Sequence, residues 1–192
     1  RFYVRYYGDR HLVAPSFSEV IRTVNGVPRE LAEWFRNLTK EQSIFESINS
    51  ANYGTFLHVY FAKILRGENT TLNESFLLNE VKIFCEENNH NYNELYKWYK
   101  YKNRKITDDV IGFICWIKDY NIKPIAMEYP LMHPDGLYAG TCDLICKITI
   151  KGAEYTAMID IKSTLKGFYE DNEIQLHAYR RLWNLEHPEY LV

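Results

Sequence analysis

The apolar positions of this chain change period near residue 123. Before that point they recur three and four residues apart, as on one face of a helix. Leu31, Trp34, Phe35 and Leu38 do so within residues 29–46, and Phe56, Val59, Tyr60, Ala62 and Ile64 within residues 52–65. Residues 74–87 and 107–120 carry the same period. An earlier helix is entered through Pro15, with Ser16 or Ser18 as N-cap before Val20, Ile21 and Val24. Residues 1–13, rich in Tyr and β-branched side chains, predict a short strand or arm. Residues 88–104 are dominated by Asn, Tyr and Lys and carry no clear period, so no element is assigned there.

After Lys123-Pro124 three strand-like segments follow, at residues 125–132, 137–150 and 154–163. His133-Pro134-Asp135-Gly136 and Lys151-Gly152 supply the turns between them, which predicts an antiparallel meander. Helical spacing returns over residues 172–185 and Pro188 breaks it. Residues 189–192 read as the start of a further strand. The order is that of an α/β (α+β) chain in one domain, residues 1–192. Its helical region spans about 14–122 and its sheet-bearing core about 123–192.

With 46% hydrophobic and 25% charged residues in 192, the chain has enough apolar material to bury a core. No apolar run approaches the ~18 residues of a membrane helix, and neither a secretory leader nor a transit peptide is recognisable. The first residue is Arg rather than Met, so the ends are expected to be trimmed. The four cysteines include no CxxC pair, which excludes a zinc ribbon or thioredoxin-type site. Cys142 and Cys146 stand ~13 Å apart on a strand, too far for one disulfide or one metal. Buried free thiols in a reducing compartment, the cytoplasm, are expected.

A net charge of −2 excludes a nonspecific DNA-coating protein but not a local basic site. Lys97, Lys100, Lys102, Arg104, Lys105 and Lys166, interleaved with Tyr and Trp, read either as a path for a nucleic-acid strand or as a solvated loop. The 16 tyrosines more simply serve packing.

The segment Tyr155-Thr-Ala-Met-Ile-Asp160-Ile-Lys162 is the most informative. Strand alternation projects Asp160 and Lys162 to one side, ~7 Å apart, while Ala157, Ile159 and Ile161 face the core. An Asp–Lys pair on a solvated face accounts for this segment equally well. The preceding strand, however, carries a second carboxylate in Gly140-Thr-Cys-Asp143, although Asp is depleted in strands. Two carboxylates on adjacent strands repel unless a cation lies between them. Hard oxygen donors, few in number, fit Mg²⁺ or Mn²⁺ rather than Zn²⁺. Glu128 on the first strand is either a third acidic neighbour or an ordinary edge-strand residue. Gln175 and Tyr179, four apart on the last helix, share a face. His58, taken alone, reads as a surface or satisfied core histidine.

In order and approximate spacing, Gly54-Thr-x-x-His58, Glu128, Gly140-x-x-Asp143, Asp160-x-Lys162 and Gln175-x-x-x-Tyr179 resemble the motifs of the PD-(D/E)XK nucleases. The RecB-type branch, with RecB, AddAB and phage-type exonucleases, is the most similar. Pro15-Ser16-Phe-Ser resembles the segment that opens such domains, so the likeness spans residues 15–179.

The resemblance implies a restriction-endonuclease-like core, a central mixed β-sheet flanked by helices behind an N-terminal helical region, with a further strand after Tyr190. It implies His58, Asp143, Asp160 and the Ile161 carbonyl as ligands of Mg²⁺ or Mn²⁺, Lys162 as the catalytic lysine and Glu128 as an auxiliary acid. Gln175 and Tyr179 would organise the site or contact the DNA strand. No Cys precedes His58 or follows Tyr179, so no iron–sulfur cluster is expected.

The expected activity is metal-dependent hydrolysis of DNA, single- or double-stranded, by an exonuclease or recombination/repair nuclease of bacterial or phage origin. A repair-protein partner or a homo-oligomer fits such a role, and a membrane does not. Two competing readings are a nonhydrolytic nucleic-acid-binding module of the same fold and a metal-dependent phosphohydrolase of small molecules.

Overall fold

Gly8, in the left-handed region at φ 59°, and Asp9 turn the chain back on itself near its start. A two-residue turn with glycine first matches the twist of an antiparallel pair. Strands β1 (Phe2–Tyr7) and β2 (Arg10–Pro15) form that hairpin, from Phe2↔Pro15 to Tyr7↔Arg10. The expected arm is therefore a two-stranded sheet. The computed structural model describes residues 1–26, 29–68, 71–163 and 170–192. The chain is mixed α/β and divides into two compact units, Arg1–Leu31 with Asn121–Val192, and Ala32–Tyr120.

In the first unit, Ser16 caps α1 (Phe17–Asn25) by accepting the Glu19 amide, and Gly26 at φ 71° ends it. Strands β3 (Lys123–Met132), β4 (Ala139–Ile150) and β5 (Ala153–Ile159) form the expected antiparallel meander in the order β3-β4-β5. Lys151 and Gly152, at φ 50° and 82°, make the tight turn between β4 and β5. Among the described residues every ladder is antiparallel; Ser16↔Ala139 is an isolated parallel bridge.

Helix α7 (Glu170–Glu186) contributes Tyr179, Leu182 and Trp183 to the core, at i, i+3 and i+4. They join Phe17 and Ile21 of α1 with Leu131, Cys142 and Ile145 of the sheet. The tail differs from expectation. Residues 189–192 form no strand but fold back on α7, where the Trp183 indole donates to the Tyr190 carbonyl at 2.7 Å and the Val192 amide to Asn184 Oδ1 at 2.9 Å.

In the second unit the expected helix over 29–46 is two helices. Helix α2 (Arg29–Arg36) stops, and Thr39 opens α3 (Lys40–Leu65) with a reciprocal capping box to Gln42. Helix α3 then continues through residues 47–51, where no helix was expected, and joins the helix expected over 52–65; buried Asn49 turns its amide onto the Phe45 carbonyl at 2.8 Å. Helices α4 (Glu74–Glu87) and α6 (Ile106–Asp119) fall where the period predicts them. Residues 88–104, left unassigned from sequence, hold α5 (Tyr92–Tyr101), capped by the Asn91 side chain. Leu95, Trp98 and Tyr99 are its buried face.

Many aromatics of this unit pack and hydrogen-bond at once. The Tyr53 hydroxyl donates to Asp109 at 2.6 Å, and Arg104 grips the same carboxylate through two nitrogens, at 2.9 and 3.1 Å. Burial, reinforced by this bond, pushes the Tyr53 phenol far above its usual range. Removing that hydroxyl orphans part of a charged acceptor, whereas the buried Tyr60 hydroxyl has no partner among the described residues. Tyr53→Phe is therefore expected to cost about 1.5–3 kcal/mol in urea unfolding, and Tyr60→Phe almost nothing.

The candidate nucleic-acid path changes accordingly. Lys102 is paired with Glu46 at 2.7 Å and Arg104 with Asp109, so both serve the fold; Lys166 lies outside the described residues. The thiols are free, with Cys85, Cys142 and Cys146 buried; Cys115, expected to be buried, is exposed. Among the described residues no helix is long and apolar enough to cross a membrane.

Candidate metal centre

The registers of the meander bring its acidic residues into one row. Glu128 lies between the pairs Met127↔Leu144 and Tyr129↔Cys142, and so stands opposite Asp143. One step beyond Leu144↔Ile159, Asp160 stands opposite Asp143 from the other side. Like charges opposite one another across strands are destabilising. Even so, the oxygens of Glu128 and Asp143 approach within 4.8 Å. Asp160 lies outside that close set and meets Lys162 instead, Oδ2 to Nζ 2.6 Å.

Each residue is held by a local feature. Asp143 is half-buried in the central strand and its Oδ2 accepts the Ile161 amide at 2.6 Å. That bond takes over where the β4–β5 ladder ends: β5 stops at Ile159, short of the expected residue 163. Asp160, Ile161 and Lys162 therefore lie just past the strand. Alternation still puts Asp160 and Lys162 on one side, as their ion pair shows. The Asp160 side chain is 11% exposed and that of Lys162 31%, so this pair is partly desolvated.

Glu128 is exposed, and its φ is 48°. A non-glycine residue held left-handed inside a strand costs on the order of 1–3 kcal/mol. The strain and the nearness of Asp143 are both relieved by Glu128→Gly. In metal-free urea unfolding that variant is expected to gain about 1 kcal/mol, while losing stabilisation by Mn²⁺. A wild-type or lower midpoint would contradict the strain.

Cys142, beside Asp143, is no nucleophile: burial pushes its thiol up to about 12, and the charges of Asp143, Asp160 and Glu128 add to the effect. All three carboxylates thus act on one buried sulfur.

Tyr179 lies beneath this row, only 5% exposed. Burial raises its phenol to about 12; the hydrogen bond from Gln175 works the other way, and the charges of Tyr3, Asp160 and Asp143 push it further up. A Cβ on Gly140 would collide with the Tyr179 hydroxyl and ring, so Gly140 is the seat of that ring. A glycine inside a strand is the sequence signal of such an approach. Tyr3, whose hydroxyl lies 3.3 Å from Thr141 Oγ1, joins the same neighbourhood without any sequence signal. His58 is half-buried on α3, in the helical unit.

The first unit thus brings together Glu128, Asp143, Asp160, Lys162, Gln175 and Tyr179, a set of hard oxygen donors with one amine. Two close carboxylates facing each other fit a divalent hard cation better than they fit each other. No known protein family matches this chain, and no curated protein is significantly similar to it.

Proposed function

We propose that this chain is a Mg²⁺- or Mn²⁺-dependent deoxyribonuclease with a PD-(D/E)XK, restriction-endonuclease-like core. The observation that carries the reading is the acidic row of Glu128 on β3, Asp143 on β4 and Asp160 just past the end of β5, with Lys162 paired to Asp160 at its end. The motif resemblance names the chemistry such a row performs.

Glu128, Asp143 and Asp160 are the carboxylates that would hold the cation. The resemblance adds His58 and the Ile161 carbonyl as further ligands. A bound Mg²⁺ or Mn²⁺ supplies charge neutralisation at the phosphoryl oxygens and lowers the pKa of water. Lys162, paired with Asp160, would be the ammonium that orients the attacking water and offsets charge on the phosphoryl group. Water oxygen bonds to phosphorus, the ester P–O bond breaks, and the departing oxygen gains a proton. Buried Tyr179, with Gln175 beside it, positions the strand that carries Asp143 rather than offering a surface to DNA.

End-labelled linear DNA and closed circular DNA, single- and double-stranded, test this with Mg²⁺, Mn²⁺ or EDTA present. Loss of linear DNA alone, abolished by EDTA, is the expected result and marks an exonuclease. Nicking of circles marks an endonuclease. No cleavage by a folded, Mn²⁺-binding protein would leave a binding module. Turnover of nucleotides in preference to polymer would leave a small-molecule phosphohydrolase.

A further inference from the structure

Glu128 keeps a left-handed backbone although a glutamate side chain gives no reason for one. Such a conformation persists only where the surrounding chain over-determines it. Before it Met127↔Leu144 is in register, and after it so are Tyr129↔Cys142 and Pro130↔Thr141. The strand therefore cannot slip to relieve the residue. Nor can the strain pass to Tyr129, because a residue before proline is confined to extended backbone. What remains is the anchor on Tyr129 itself.

That anchor is the C-terminal end of α7. The Tyr129 ring meets Trp183 edge-on, centroids 5.3 Å apart, and its hydroxyl lies 3.1 Å from His187 Nε2. His187 is fixed in turn. Its amide donates to the Trp183 carbonyl at 2.8 Å, and its ring centroid lies 4.0 Å from that of Trp183. Glu189 Oε1 stands 3.5 Å from its Nδ1. A carboxylate only accepts, so this neighbour favours the proton on Nδ1 and leaves Nε2 to accept the Tyr129 hydroxyl. His187 thus reaches the acidic row through the residue next to Glu128.

We propose that His187 is a positioning residue for the metal centre: bonded to the Tyr129 hydroxyl, it holds Glu128 in the left-handed conformation that brings its carboxylate to Asp143. This rests on the metal-dependent reading for its use, and on the geometry of β3 and α7 for its existence. The bond and the strain are of one order, so losing the bond shifts Glu128 toward extended backbone. Metal-free protein is measured first. A positive φ brings a residue's own amide and Hα protons together, so wild-type Glu128 is expected to give a strong intraresidue cross-peak in nuclear Overhauser spectra. Tyr129→Phe, which keeps the ring and removes only the hydroxyl, and His187→Ala both weaken it. Mn²⁺ affinity, followed by electron paramagnetic resonance of the free ion, falls about tenfold in each, as when a group that orients a ligand is lost. In a Glu128→Gln background His187→Ala costs no further Mn²⁺ affinity, because the charged ligand it positions is already gone. Wild-type Mn²⁺ affinity in both variants overturns the proposal. So does an equal loss in the Glu128→Gln background, which would spread the effect over the whole sheet. A wild-type protein that binds no Mn²⁺, with the cross-peak weakened as expected in the variants, would sink the metal reading and leave the clamp on Glu128 standing. Mn²⁺-dependent cleavage with Glu128 left-handed in both variants would do the reverse.

Discussion

Alanine in place of Asp160 or Lys162 is expected to lower metal-dependent DNA cleavage by about 10²–10³-fold, the usual loss when one charge-stabilising group leaves a preorganised site. The two variants should differ in every other respect. Lys162→Ala leaves the Asp160 carboxylate, 11% exposed, without its ion-pair partner in a row that already holds Asp143. Metal-free, that variant loses stability, though less than a fully buried pair would, because the Lys162 side chain is 31% exposed. Asp160→Ala removes one negative charge from the row, and its metal-free stability should change little or rise. Their responses to Mn²⁺ then reverse. A cation bound only by the folded chain stabilises it by about 2.7 kcal/mol at one hundred times its Kd. Lys162→Ala keeps that thermal shift and Asp160→Ala loses much of it. Thermal melts with and without Mn²⁺, run beside the cleavage assay, measure all of this on one sample. Full cleavage by Lys162→Ala would remove the lysine from the chemistry.

The acidic row was half legible in the sequence. Asp143 and Asp160 stand out because carboxylates are rare in apolar strands, and the two turns dictate that their strands are neighbours. Register was not legible: that Glu128 faces Asp143 follows from the ladder, whose register shifts between Pro124 and Ala126. Nor was the positive φ of Glu128, since glutamate carries no mark of a left-handed conformation. Helices α4, α6 and α7 were readable from period alone because one face of each is continuously apolar. Helix α5 was not, because its buried face is built from Trp98 and Tyr99 among lysines, and tyrosine serves surface and core alike. The run 189–192 looked like a strand from its Tyr-Leu-Val composition. The Trp183 indole needed an acceptor, and the Tyr190 carbonyl supplies it.

Gly140→Ala should destabilise the sheet unit by about 1–3 kcal/mol, the cost of forcing a methyl into a filled core. Gly140 sits in β4 three residues before Asp143, directly under the Tyr179 ring, and its added Cβ has no room unless that ring moves. The ring is 5% exposed and packed in the cluster that includes Phe17 and Trp183, so little slack exists. Moving it also withdraws the phenol from Gln175 and shifts the strand that presents Asp143. Activity should therefore fall with stability even though neither residue touches a phosphate. The contact is separable from a general effect of alanine in a strand by a double-mutant cycle. Tyr179→Ala alone opens a cavity and costs about 3–5 kcal/mol. Combined with Gly140→Ala, it should cost less than the sum of the two, because the methyl then occupies space the ring has left. Urea unfolding of the four proteins measures the coupling, and strict additivity would show that Gly140 is required for the strand rather than for the ring above it.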